Sequence, residues 1–212
     1  KEDFKVLLEY PDNRSDYTVI DQVDDKFYIL TNYNADNYKI ICFDARTKQI
    51  NDVMCECDHV LVQAAVIANK ILGVYYKDGK FKLVINNLNG ELIFKKDFAA
   101  GNHVSVILGN NNDNEIIFFV NSFYMPSRVY KLNMENYEIK ELSENKRKLN
   151  KDDFETKFVK YYSKDSAEVT MYLSYKKGCD LNSGNTPVLL YGYGGFGMNM
   201  DPHFDAAYVM FM

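Results

Sequence analysis

Between Lys26 and Asn133 the same pair of strand-like runs comes round three times. Lys26-Phe27-Tyr28-Ile29-Leu30 leads into Tyr38-Lys39-Ile40-Ile41-Cys42-Phe43-Asp44, and Lys70-Ile71-Leu72-Gly73-Val74 leads into Phe81-Lys82-Leu83-Val84-Ile85. Glu115-Ile116-Ile117-Phe118-Phe119 then leads into Arg128-Val129-Tyr130-Lys131-Leu132-Asn133. The starts at Lys26, Lys70 and Glu115 lie 44 and 45 residues apart. Runs rich in β-branched and aromatic residues, bounded by Asn, Asp and Gly, read as strands. A hairpin repeat of roughly 40 to 50 residues is the pattern of a β-propeller, whose four-stranded blades bury their faces only against neighbouring blades. A β-sandwich or meander with accidentally even spacing is the competing reading. Three repeats make part of a ring, because closed propellers have roughly 4 to 8 blades.

Turn chemistry fits hairpins. Asp78-Gly79 and Asn89-Gly90 each read as a type I′ turn, and Pro126 in Tyr124-Met125-Pro126-Ser127 ends a strand because it has no N–H to donate. Residues 143–153 are dense in interleaved charge and read as a linker. Beyond it, residues 154–162 and 169–176 read as a hairpin joined through Ser163 to Glu168. Its alternation places Val169, Met171, Leu173 and Tyr175 on one face and Thr170, Tyr172 and Ser174 on the other.

Thr186-Pro187-Val188-Leu189-Leu190-Tyr191 then empties into Gly192-Tyr193-Gly194-Gly195-Phe196-Gly197. Unbroken apolar runs fit a central strand covered on both faces, so residues 188–191 are expected to form one. Glycines let a ligand approach the backbone, and a phenol can donate to an oxyanion; the plain alternative is a tight strand-to-strand turn. In an α/β-hydrolase the loop after an early strand carries oxyanion-hole donors. No G-x-S-x-G elbow occurs, and His59, His103 and His203 stand in no triad order with a Ser and an Asp. The chain begins with Lys1 and stops inside an apolar segment at Met212, as expected of a piece of a longer protein.

Composition narrows the classes. A net charge of −5 with both signs mixed argues against nucleic acid and anionic membrane surfaces. No apolar stretch is long enough to span a bilayer. Cys42, Cys55, Cys57 and Cys179 lack a metal-ligand pattern, with no histidine at ligand spacing. Cys55 and Cys57 are expected to pack as small apolar residues on one strand face, and reduced thiols suit a cytoplasmic setting. No metal or cofactor is expected.

Tyr191-Gly192-Tyr193-Gly194-Gly195-Phe196, preceded by Pro187-Val188-Leu189-Leu190 and followed by Asp201-Pro202, closely resembles the start of the peptidase domain in prolyl oligopeptidase, a serine peptidase of the α/β-hydrolase class. Residues 158–178 look like the strands just before that motif, and Thr31-Asn32-Tyr33, Asn114-Glu115-Ile116 and Asn121-Ser122-Phe123 look like late propeller blades. The resemblance implies a mainly β chain, part of a seven-bladed β-propeller followed by the first strands of an α/β-hydrolase domain. The divisions are then 1–142 for about three blades, 143–153 for the linker and 154–212 for the truncated peptidase domain. It also implies cleavage of short peptides after proline, with the propeller gating access. Tyr193 takes the place of the family's side-chain oxyanion donor and Phe196 that of a wall of the proline pocket. The implied partners are short proline-containing peptides, the remaining blades and the rest of the peptidase domain. The Ser, Asp and His of the triad would lie beyond Met212, leaving this piece inactive alone. Gly197-Met198-Asn199-Met200 departs from the family pattern, so a related oligopeptidase acting after basic residues and a non-catalytic propeller binding module are the alternatives.

Overall fold

The structure is a computed structural model that describes Val6, residues 14–143 and residues 150–212. Its strands build three four-stranded sheets and one two-stranded sheet. The first sheet comprises β1 (Tyr17–Val23), β2 (Lys26–Thr31), β3 (Lys39–Asp44) and β4 (Ile50–Met54). The second comprises β5 (Val60–Ile67), β6 (Lys70–Lys77), β7 (Lys80–Asn87) and β8 (Leu92–Asp97). The third comprises β9 (Asn102–Leu108), β10 (Glu115–Ser122), β11 (Arg128–Asn133) and β12 (Ile139–Glu141). Within each sheet the strands lie side by side in chain order, the arrangement of a propeller blade. The repeat seen in the sequence falls on the two middle strands of every blade: β2 and β3, β6 and β7, β10 and β11.

Each blade closes its last hairpin with the same device. Asp44, Asn87 and Asn133 end the third strands, and each side-chain Oδ1 accepts backbone N–H groups from the turn that follows. Asp44 takes Arg46 and Thr47, Asn87 takes Asn89 and Glu91, and Asn133 takes Glu135 and Asn136. Such Asx turns satisfy donors that a tight loop leaves without ladder partners. The Asn89-Gly90 turn is accordingly not type I′. Only Gly90 has positive φ, at +89°, and its N–H donates to the Asn87 carbonyl at 3.0 Å, while Asn87 and Glu91 close the hairpin. Asp78-Gly79 is type I′, with φ of +46° and +75°, and the Ala68-Asn69 turn between β5 and β6 adopts positive φ at both positions.

The chain forms two compact units. The first, residues 1–77, 82–96 and 109–114, centres on Tyr28, Ile40, Leu61, Val66, Ile71, Tyr75 and Val84. Ile40, Leu61 and Ile71 are almost completely buried, and each such side chain is worth about 1.5–3 kcal/mol. Burial also pushes the Tyr28 phenol up to about 12. The second unit, residues 78–81, 97–108 and 115–212, is built on aromatic contacts. Phe118 is completely buried, stacked on Tyr130 at 5.4 Å and met edge-on by Phe98 at 6.2 Å.

The second unit also holds the hairpin of β13 (Phe154–Tyr162) and β14 (Glu168–Lys176), paired with Phe158 opposite Tyr172. Both faces pack: Tyr175 is buried on one, and the other carries Thr156, Phe158, Tyr172 and Ser174. Tyr172 lies 5.5 Å from Phe123, Tyr124 stacks on Phe154 at 5.2 Å, and the Thr156 and Ser174 hydroxyls are 2.7 Å apart. Gly79 makes this approach possible: a Cβ there would lie 2.5 Å from the Phe158 ring.

Two further expectations are corrected. Residues 188–191 form no strand and are exposed, because a central strand needs ladder partners on both sides and the described residues supply none. Cys55 and Cys57 do not pack: β4 ends at Met54 and both thiols are exposed. The 143–153 linker lies mostly outside the described residues; its end, Lys151–Asp153, is a single 3-10 turn. No helix among the described residues is long and apolar enough to cross a membrane.

Candidate active-site segment

Beyond β14 the chain runs through an irregular loop to the glycine-rich segment, and then to the short helix α1 (Ala206–Phe211). The Asp205 carboxylate caps α1 by accepting from the Ala207 N–H at 2.8 Å. Between Gly195 and Gly197 lies a single 3-10 turn, entered through Gly194 at φ +87° and left at Met198, whose N–H donates to the Gly195 carbonyl at 3.1 Å.

Phe196, inside this turn, has φ +57° and ψ +28°. The left-handed region is disfavoured for a bulky side chain and is retained where surrounding structure imposes it. The conformation throws the ring outward, 97% exposed. Tyr193 is 59% exposed, and its ring lies over Gly195: a Cβ at that glycine would sit 3.1 Å from Cζ and 3.2 Å from the hydroxyl. Among the described residues no hydrogen-bond partner takes the Tyr193 hydroxyl. Both residues chosen from sequence therefore stand on one turn, exposed, with a free phenol and a bare aromatic face.

Among the described residues none of the three histidines hydrogen-bonds a serine hydroxyl. His59 pairs with Asp58 through Nδ1 at 2.6 Å, and Lys77 holds the other carboxylate oxygen; these two partners keep Asp58 ionised down to about 2. Cys57 joins them, with donor atoms within 4.8 Å of one another, so His59 does stand at ligand spacing. Asp58 is already held by a cation and an imidazole, and the trio reads as an ion-pair cluster. His103 was not singled out by sequence. It is partly buried, 4.9 Å from the Phe81 ring centroid and 4.0 Å from Asp201.

Consecutive four-stranded blades running into a hairpin and a glycine-rich aromatic turn define a propeller-bearing chain of the kind found in serine oligopeptidases. The profile of the prolyl oligopeptidase N-terminal β-propeller domain matches residues 1–145, and the chain belongs to the prolyl oligopeptidase family. Prolyl oligopeptidase ophP of Omphalotus olearius is 32% identical over 204 residues, which is 92% of this chain and 27% of that protein. Prolyl oligopeptidase A of Galerina marginata is 29% identical over 216 residues, 98% of this chain and 28% of its own. A solved prolyl endopeptidase shares the fold with a TM-score of 0.89 at 23% identity, over 100% of this chain and 31% of the other. Prolyl oligopeptidase B of Galerina marginata, bound to a 25mer macrocyclization substrate, gives a TM-score of 0.82 at 25% identity, over 92% of this chain and 28% of its own. The chain thus spans little more than a quarter of the curated relatives it matches.

Proposed function

We propose that this chain is the part of a serine oligopeptidase that joins its propeller to its peptidase domain, in an enzyme that cleaves short peptides after proline. The observation that carries the reading is the glycine turn, which holds an unpartnered phenol and an outward aromatic ring three residues apart inside a chain of this family. Residues 154–212 begin the α/β-hydrolase domain, whose triad of Ser, Asp and His is supplied outside residues 1–212. The blades narrow the approach to the site, so that short peptides enter and folded proteins do not.

In this reading Tyr193 donates its hydroxyl hydrogen to the carbonyl oxygen of the scissile bond as negative charge builds there. The hydrogen bond is stronger in the transition state than in the bound substrate, and so lowers the barrier. Gly195 allows the ring to lie close over the backbone, which limits reorientation of the hydroxyl. Phe196 offers a flat apolar wall to the pyrrolidine ring of the residue before the cleaved bond. The run 188–191 becomes a central strand once neighbouring strands of the peptidase domain supply its ladder.

The test is hydrolysis of a chromogenic peptide with proline before the scissile bond by the whole gene product, wild type beside Tyr193→Phe. The variant is expected to lose about 100-fold or more in kcat, the typical effect of removing one oxyanion donor. Turnover unchanged by the substitution removes Tyr193 from the role, and absence of turnover in the wild type removes the peptidase reading. Relatives named dual function macrocyclase-peptidases also exist, one from Amanita bisporigera at 27% identity. Product masses from a longer peptide separate the two fates, because a cyclic product is one water lighter than the hydrolysed one.

A further inference from the structure

We propose that His103 and Asp201 are positioning residues that clamp the chain just after the glycine turn onto the third blade, and so fix Tyr193 through the backbone. The inference rests on the role proposed for that turn. His103 opens β9, where it pairs with Asn121 of β10, and its ring faces Phe81 at 4.9 Å. Asp201 arrives from the other side, with its carboxylate oxygen 4.0 Å from His103 Nε2. Pro202, the next residue, is buried, although Phe196, Met198 and Met210 nearby are exposed. The chain is thus held at Asp201-Pro202, a few residues after an exposed turn that has no other anchor of this kind among the described residues. His203 completes the group, with Nδ1 3.2 Å from the Asp201 carbonyl oxygen.

The titratable groups acting on His103 are Asp201 and His203, while Phe81 and Asn121, facing it from β7 and β10, carry no charge. Burial holds the imidazole below its ordinary range, Asp201 opposes that, and His203 adds to it. The docked arrangement is therefore the one in which His103 is neutral, and by linkage acid favours its release to water. Asp201 serves as the counterion that limits this release.

Hydrogen exchange of amides in residues 192–200 of the whole gene product, between pH 5 and 8 and corrected for intrinsic rates, tests the clamp without reference to activity. Wild type is expected to lose protection as pH falls below about 6.5, the ordinary value for histidine. Asp201→Asn should lose more over the same range, and His103→Gln should show no such pH response. The same response in His103→Gln as in wild type, or no larger response in Asp201→Asn, overturns the clamp. With the proline chromogenic peptide at about pH 6, below the ordinary histidine value, where His103 charges and Asp201 is its counterion, Asp201→Asn should lower kcat about 10-fold with little change in KM, a modest share of what misplacement near a reacting group can cost. Asp201→Glu should recover most of the loss. A change confined to KM, or no recovery by Glu, overturns the positioning role. Absence of wild-type turnover strikes the peptidase reading instead, and leaves the exchange experiment to decide the clamp.

Discussion

Gly90 and Gly178 share a backbone conformation and differ in what surrounds them, so the same substitution at both separates strain from contact. Their φ values are +89° and +86°. A Cβ at Gly90 would lie 1.9 Å from the Val53 carbonyl oxygen and 2.9 Å from its carbon, whereas at Gly178 it would meet nothing within 4 Å. Alanine in the left-handed region costs about 1–2 kcal/mol, which both variants should show. At Gly90 the added carbon meets backbone, which cannot swing aside as a side chain does. Overpacking of this kind adds about 1–3 kcal/mol, for a total of about 2–5 kcal/mol. Urea unfolding of the whole gene product, followed by far-ultraviolet circular dichroism, should place the Gly90→Ala midpoint clearly below that of Gly178→Ala. Equal midpoints would show that φ strain alone explains both and would refute the contact.

Two further outcomes are expected. Phe118→Ala removes a fully buried ring stacked on Tyr130 and should cost about 3–5 kcal/mol by the same assay; a loss under about 1 kcal/mol would mean the third blade is not packed as described. Donation from the Thr47 N–H, followed by that of Arg46, lowers the Asp44 pKa. Its contribution to stability is then present above about 3.9, the ordinary value for aspartate, and is lost as pH falls through the depressed folded value. Asp44→Asn keeps the accepting oxygen, so the variant should resist acid below about pH 4 better than wild type; identical acid midpoints would contradict the turn's role.

Among the middle strands, β3, β6 and β7 were legible because they are buried along most of their length, and β10 because every second residue is buried. Ile40 to Phe43, Ile71 to Tyr75 and Leu83 to Asn86 are continuous buried runs, and such runs stand out in sequence. The outer strands were not, because β8 and β12 are largely exposed and carry little apolar pattern. Alternation in β14 was read correctly as a register, yet the face with Thr170, Tyr172 and Ser174 also packs, through an aromatic contact that alternation does not reveal. The run 188–191 misled for a related reason: an apolar segment announces that it will be covered, and not by what. Tyr193 and Phe196 drew notice as candidates through their glycine setting. His103 was not, since its partner Asp201 lies 98 residues away and no spacing rule joins them.

The two ends of the blades differ in a way that bears on how such a chain can change over evolution. Connections from second to third strand contain 7, 2 and 5 residues, at 32–38, 78–79 and 123–127. Those from third to fourth strand contain 5, 4 and 5, each governed by one Asp or Asn. Length thus varies most in the connections at the end where Gly79 and Phe123 meet the β13–β14 hairpin, whereas the third-to-fourth connections, in which a side chain must reach particular amides, stay within one residue of one another. New contact surface can be acquired at the first end without loosening the closure of any blade, which leaves the scaffold constant while what it touches diverges.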